Sequence, residues 1–166
     1  MGVLAIDAPE DLGGLGDLRD QLVVIEELAA GPTSMAAFLI VQFMIIQVLR
    51  GYASTDEQRA ILAELVQGRT KVSFSMSEPD GGTDVARAMK TRAVATTDGW
   101  RVNGTKLWTT NAHRVHCMIA LIRTAPAEEK NRQAGLTQVL IPLDSPGVTV
   151  RPIKSMVGLE DFNEVV

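Results

Sequence analysis

Two hydrophobic periods run through this chain, and one gives way to the other near residue 69. In the first part apolar residues recur at helical spacing. Leu18, Leu22, Ile25 and Leu28 with Ala29 fall on one stripe, while Arg19 and the adjacent Glu26 and Glu27 lie on other faces as solvated positions. Asp17 is placed to cap this helix. Gly31-Pro32-Thr33 breaks the chain, and Thr33 or Ser34 opens a second helix over 35–49. That helix is apolar nearly all round, which predicts burial on most sides, and Gly51 ends it. Thr55 and Gln58 form a Thr-x-x-Gln capping box for a third helix. Ile61, Leu62, Leu65 and Val66 are its apolar face, and Gly68 stops it.

From Thr70 the period falls to two. Residues 71–76 alternate as a half-buried strand does. Further strands are predicted over 92–96, 100–103, 106–109, 115–123, 136–142 and 148–153, separated by Thr97-Asp98-Gly99, Asn103-Gly104 and Ser145-Pro146-Gly147. Asp98-Gly99 and Asn103-Gly104 read as hairpin turns, because Asp, Asn and Gly tolerate positive φ. Residues 125–135 are polar and charged and predict an exposed connection. A run of strands after a run of helices predicts an α+β chain in two parts, residues 1–69 and 70–166.

Composition narrows the reading. The 166 residues are 46% hydrophobic and 22% charged, which is normal for a packed protein and not for a disordered one. A net charge of −4 argues against a broad nucleic-acid surface. The most apolar run is short for a membrane span and is interrupted by Gln42 and Gln47, so a core helix is expected and no membrane span. Residues 1–7 lack the basic and long apolar regions of a signal peptide. One cysteine, Cys117, cannot close an internal disulfide, and the expectation is a cytoplasmic protein. Cys117 has apolar neighbours and reads as a buried strand residue. His113 and His116 have no carboxylate or cysteine at metal spacing, so no metal site is expected.

Two stretches carry candidate chemistry. Phe74-Ser75-Met76-Ser77-Glu78-Pro79-Asp80-Gly81-Gly82-Thr83-Asp84 passes from a strand into a glycine turn. Read alone, this is a surface connection with Asp84 capping a short helical turn. Read functionally, Gly81-Gly82 lets a planar ligand or a phosphate approach the backbone. It is neither a Walker loop nor a Rossmann fingerprint. The second stretch is Asn103-Gly104-Thr105-Lys106-Leu107-Trp108-Thr109-Thr110-Asn111. Trp108 read alone is a core tryptophan. Strand alternation, however, puts Trp108 and the Thr110 hydroxyl on one face, an aromatic wall and a donor suited to a heterocycle with an acceptor at its edge.

Together these stretches resemble the acyl-CoA dehydrogenase family. The likeness rests on Phe74-Ser75-Met76-Ser77-Glu78-Pro79 with Gly82-Thr83-Asp84, then Asp98-Gly99, Asn103-Gly104, Lys106, Trp108 and Thr110-Asn111. Pro9-Glu10, Gly13-Gly14, Gly16, Glu26-Glu27-Leu28-Ala29, Gln58 and Pro146-Gly147-Val148 follow the family's order, so it covers the whole chain. The resemblance implies an N-terminal helical part followed by a mainly antiparallel β-barrel or sandwich middle domain that holds FAD. Phe74, Met76 and Ser77 would contact the flavin ring, with the Ser77 hydroxyl at its pyrimidine edge. Gly82 and Thr83 would meet cofactor phosphates or substrate, although the family has serine where Thr83 stands. Trp108 would cover one ring face and Thr110 would bond flavin N5. Glu78 and Asp84 would brace the turn. The helix carrying Phe38 matches the acyl-cavity region.

The activity implied is α,β-desaturation of an acyl-CoA thioester, with an electron-transfer flavoprotein as acceptor and a homo-oligomer, dimer or tetramer, as the intact enzyme. The family's catalytic base is a carboxylate of a C-terminal helical domain. It is expected beyond Val166, with Glu160 and Glu164 in the wrong segment to replace it. The chain therefore reads as a truncated product, an excised piece or part of a longer protein. Two other readings remain: an oxygen-reactive relative, such as an acyl-CoA oxidase or flavin monooxygenase, and a non-catalytic paralogue serving as a binding or assembly module.

Overall fold

A computed structural model describes residues 2–166; Met1, at the head of the segment read for a targeting signal, lies outside them. The chain divides into two compact units, one ending at Val72 and the other starting at Ser73.

The first unit is helical. Two short 3-10 turns precede helix α1 (Leu18–Ala29), α2 (Thr33–Tyr52) and α3 (Asp56–Val66). Local chemistry sets most of the boundaries. Asp17 accepts the Arg19 N–H at 2.7 Å while Asp20 accepts the Asp17 N–H at 2.8 Å, a closed capping box. Thr55 and Gln58 form the second box, as their spacing predicts. Gly68, at φ +73°, turns the chain out of α3.

Helix α2 opens at Thr33, as expected, but departs from expectation at its C-terminal end and around its girth. Pro32 occupies the N-cap and no side chain caps the first turn. Gly51 lies inside the last turn, and the helix ends only after Tyr52. Ala36, Phe43, Ile45, Ile46 and Leu49 are buried, but Met35, Ile40 and Met44 are exposed. The helix packs against α1, α3 and the first 3-10 turn. The stripe on α1 is corrected as well: Leu18 and Leu22 are exposed, and Gln21 is the residue of that helix turned inward.

By length and composition alone α2 is apolar enough to cross a membrane. Its two glutamines are committed within the unit. Gln42 is buried and its amide brackets Val72, donating to the carbonyl at 3.0 Å and accepting the N–H at 3.2 Å. Gln47 donates to the Asp7 carboxylate, which also pairs with Arg50.

The second unit is β. A five-stranded sheet contains β1 (Val72–Ser75), β2 (Arg92–Thr96), β3 (Gly99–Asn103), β5 (Cys117–Arg123) and β6 (Leu136–Pro142). Strand β5 is its hub, flanked by β1 and β2 and antiparallel to β6 along its whole length. A three-stranded antiparallel sheet has the order β4 (Lys106–Thr110), β8 (Phe162–Val165), β7 (Val150–Ile153). A short helix, α4 (Val85–Ala88), follows β1. Ala93, Met118, Ala120 and Ile122 from the larger sheet and Val165 from the smaller form one core cluster, with Val102, Val139, Ile141 and Val150 packed on it. The sheets make an open sandwich, not a closed barrel, and the architecture is α+β.

Strands β2 and β6 have the expected bounds. Strand β5 starts late because residues 112–114 form a 3-10 turn. Strand β8 was not among the strands read from the period of two, but the family resemblance, in which residues 162–166 match part of a β-strand, points to it. Asn103-Gly104 is not a hairpin: β3 and β4 belong to different sheets, and the dipeptide carries the chain between them. A Cβ on Gly104 would lie 2.2 Å from Thr91 Oγ1, so glycine is required there for close approach.

Candidate functional site

The two chemistry-bearing stretches lie side by side in the β unit, running in opposite senses. Ser73 Oγ donates to the Thr110 carbonyl at 2.5 Å, the Ser75 and Thr109 hydroxyls meet at 2.8 Å, and the Leu107 N–H donates to the Ser77 carbonyl at 2.9 Å. Ser73, Ser75 and Thr109 are buried by these contacts. Phe74, Met76, Ser77 and Thr110 are left half-buried and Trp108 is exposed. The small hydroxyls of both stretches thus join them from behind, and the residues expected at a flavin are the ones left accessible.

A buried ion pair fastens the junction. Lys106 Nζ lies 2.8 Å from Glu78 Oε1, with side chains only 3% and 4% exposed. The ammonium also donates to the carbonyls of Met76 at 3.1 Å and Leu121 at 2.6 Å. Glu78 accepts the N–H groups of Lys90 at 2.6 Å and Thr91 at 3.0 Å. Burial works to raise the Glu78 pKa, but the contacts to Lys106, Thr91 and Lys90 outweigh it and hold the carboxyl below its usual value. Burial pulls the Lys106 pKa down, opposed by Glu78. Glu78 closes the loop 79–90 at its base, the bracing part read from the sequence. Lys106 carried no role in that reading. A lysine in a strand at an inward position, with one nearby-motif glutamate to receive it, is the signal that marks it.

Trp108 does not follow strand alternation. Lys106 pairs with Val165 and Thr109 with Asn163, so Leu107 and Trp108 together oppose the single residue Glu164. This is a β-bulge, and Trp108 takes φ +62° within it. Lys106 and Thr109, three apart, are therefore both buried, and regular alternation does not describe the strand. The indole is 56% exposed, which removes the core-tryptophan reading. Phe162 lies across from Thr110, with its ring centroid 6.3 Å from that of Trp108 and the planes at 82°. Asn163, fully buried, donates to the Thr109 carbonyl at 2.9 Å and meets His113 Nδ1 at 2.9 Å. Phe162 and Asn163 escaped the sequence reading because their contacts are nonlocal.

In the glycine turn the two glycines differ. A Cβ on Gly81 would lie 2.8 Å from the Ala88 Cβ, so Gly81 serves the packing of α4. Gly82 has open space at its Cβ position and is the one that leaves backbone approachable. Thr83 is exposed. Asp84 caps α4 through the Arg87 N–H at 3.2 Å and lies 3.6 Å from Arg132. Phe38 is a half-buried residue of α2 in the helical unit.

The β unit also carries a groove of about 760 Å³ lined by Arg87, Arg92, Arg123 and Arg132 with Met89 and Thr124. Arg123 is held in place by the Ala86 and Ala134 carbonyls at 2.7 and 2.9 Å. These arginines are scattered in sequence and form no charge run. Burial pushes the Cys117 thiol up to about 11, so it is no nucleophile near neutrality. No group of three metal-ligating side chains occurs among the described residues.

Comparison with known proteins identifies the family. Residues 73–165 match the family described as acyl-CoA dehydrogenase, middle domain, and residues 1–69 match acyl-CoA dehydrogenase, N-terminal domain. Acyl-CoA dehydrogenase IpdE1 of Mycobacterium tuberculosis is 32% identical over 165 residues, 99% of this chain and 42% of that protein. The human mitochondrial short-chain specific acyl-CoA dehydrogenase is 30% identical over 161 residues, 96% of this chain and 38% of that protein. Among solved structures, butyryl-CoA dehydrogenase from Megasphaera elsdenii shares the fold, with a TM-score of 0.87 at 24% identity over 99% of this chain and 44% of its own. A glutaryl-CoA dehydrogenase from Mycobacterium smegmatis in complex with FADH2 aligns with a TM-score of 0.82 at 27% identity, over 99% of this chain and 41% of its own. This chain belongs to the acyl-CoA dehydrogenase family. It spans less than half the length of each of these relatives.

Proposed function

We propose that this chain supplies the flavin-binding wall of an FAD-dependent acyl-CoA dehydrogenase, acting in α,β-desaturation of a fatty acyl-CoA. The observation that carries the reading is the junction of the two stretches. Buried serines and threonines tie them together, and the accessible side is left with Trp108, Thr110, Met76, Phe74 and Ser77. That donor set fits the cofactor: an exposed indole for a ring face, hydroxyls for the ring edge, and the open backbone at Gly82 for a phosphate.

Bound there, FAD supplies the acceptor for the β-hydride at its N5. The chain's own residues bind and orient. Trp108 covers one ring face, the Thr110 hydroxyl donates at the N5 edge, and Ser77 with the backbone of residues 74–76 holds the pyrimidine edge. Gly82 and Thr83 meet the phosphates or the substrate, and Phe38, on the helix that matches the family's acyl-cavity region, is a substrate-binding residue in this reading. The arginine groove has the chemistry for the polyphosphate of a coenzyme A thioester. The proton acceptor for the thioester α-carbon lies, in this reading, outside these two units. An electron-transfer flavoprotein takes the electrons, the intact enzyme is a homo-oligomer, and its setting is cytoplasmic.

The test is to add FAD to the chain, remove free cofactor, and follow flavin absorbance when an acyl-CoA is added. Retained flavin that an acyl-CoA bleaches supports the binding wall but overturns the placement of the base outside these two units. Retained flavin without bleaching supports the binding wall and a base held elsewhere. No retained flavin in the folded chain refutes the reading, and fast reoxidation by oxygen favours the oxidase alternative.

A further inference from the structure

Trp108 sits in a conformation its own chemistry disfavours. A bulky aromatic residue at positive φ is a genuine outlier, and such strain persists only where the surroundings enforce it. The enforcement here is visible on both sides. Lys106 is locked by its buried pair with Glu78, and Thr109 by Ser75 Oγ and Asn163 Nδ2. With both neighbours pinned three residues apart against β8, the two residues between them must bulge, and the indole is carried outward. What remains to be set is the orientation of the ring, since 56% of the residue is open to solvent.

Among the described residues one aromatic ring packs against it. Phe162 lies across from Thr110 on β8, is itself 43% exposed, and stands nearly perpendicular to the indole at 6.3 Å. Whichever ring lends its edge in this T-shaped contact, at least one indole face stays uncovered. Two large aromatic side chains held half out of a sheet, on a strained bulge, form a surface that a planar ligand would complete.

We infer that Phe162 is a positioning residue for the cofactor: its ring sets the indole of Trp108 so that a flat, open face is preformed before a flavin arrives. The inference rests on the flavin reading above and adds to it a residue outside the two motifs. Phe162 does not act on the reacting atoms; it acts through Trp108. Losing it leaves the bulge in place, because Lys106 and Thr109 enforce that, but frees the indole to rotate.

The experiment uses the full chain carrying Trp100→Phe, so that Trp108 is the single tryptophan. Phe162→Ala, Phe162→Leu and Phe162→Tyr are compared with the parent by near-ultraviolet circular dichroism, thermal midpoint and FAD titration followed by quenching of Trp108 emission. Loss of the aromatic contact is expected to flatten the Trp108 dichroism and weaken FAD affinity about 3- to 10-fold in the Ala and Leu variants, with the midpoint little changed. Phe162→Tyr keeps the ring and should restore both signals. Parent-like affinity in Phe162→Ala and Phe162→Leu overturns the inference alone. A Phe162→Tyr variant as weak as Phe162→Leu also overturns it. A parent chain that folds but binds no FAD overturns the flavin reading, and this inference with it.

Discussion

Lys106→Met should unfasten the site. The methionine fills most of the lysine volume but leaves the Glu78 carboxylate, 4% exposed, without a counter-charge, and the carbonyls of Met76 and Leu121 without a donor. Removing one member of a buried ion pair typically costs about 3–5 kcal/mol, because the survivor stays desolvated. For a unit of this size, with a urea slope of about 1–2 kcal/mol/M, the unfolding midpoint should fall by roughly 1.5–5 M. Trp100 and Trp108 are the only tryptophans and both lie beyond Ser73, so intrinsic fluorescence reports this unit specifically. Adding Glu78→Gln to Lys106→Met should recover part of the loss. A neutral amide still accepts the Lys90 and Thr91 N–H groups and can donate to the vacated carbonyls.

The pH response should weaken in parallel. In the parent the folded pKa of Glu78 is depressed below 4.5, so its contribution is fully present above that value and is lost as pH falls through the folded pKa. In Lys106→Met the largest contact opposing burial is gone while those to Thr91 and Lys90 stay, so the folded pKa of Glu78 rises relative to the parent. The gap to the unfolded value narrows, and the variant should lose less stability than the parent as pH falls through the carboxylate range. A loss under about 1 kcal/mol, or a double variant worse than the sum of the singles, would refute the fastening role.

Gly104→Ala should destabilise the β unit by about 1–3 kcal/mol, because a Cβ there meets Thr91 backbone at 2.6 Å; an unchanged thermal midpoint would show that the strand crossing has slack. In the intact enzyme, with its base present, Thr110→Val should slow flavin reduction about tenfold, the kinetic equivalent of one hydrogen bond, while weakening acyl-CoA binding less. Single-turnover bleaching set against thioester affinity separates the two, and an effect on neither removes Thr110 from N5.

What the sequence made legible follows from how local the cause is. The cap at Asp17 and the capping box of Thr55 with Gln58 act over a few residues and were readable, as was the stop at Gly68; that Asp20 closes a box with Asp17 was not read. The side on which α1 would be buried was not. Leu18 and Leu22 mark an apolar stripe, but which stripe is covered depends on where α2 packs, and Gln21 was turned inward instead. The same holds at the site. The residues of the two stretches could be named, and their hydroxyls explain why they join. The bulge at Trp108 could not be read, because it is set by the register of Lys106 and Thr109 against β8. Asn103-Gly104 has the composition of a hairpin, yet its glycine answers a distant neighbour, Thr91. Lys106 becomes structural only when Glu78 is brought beside it across 28 residues of chain.

The most direct test of the account is an FAD titration of the 166-residue chain and of two single variants, Trp108→Ala and Trp100→Phe, with bound flavin and tryptophan quenching read together. The account predicts saturable binding by the parent, quenching and affinity preserved in Trp100→Phe, and flavin retention sharply weakened in Trp108→Ala. Equal flavin occupancy in all three proteins, or no binding by a folded parent, would contradict it.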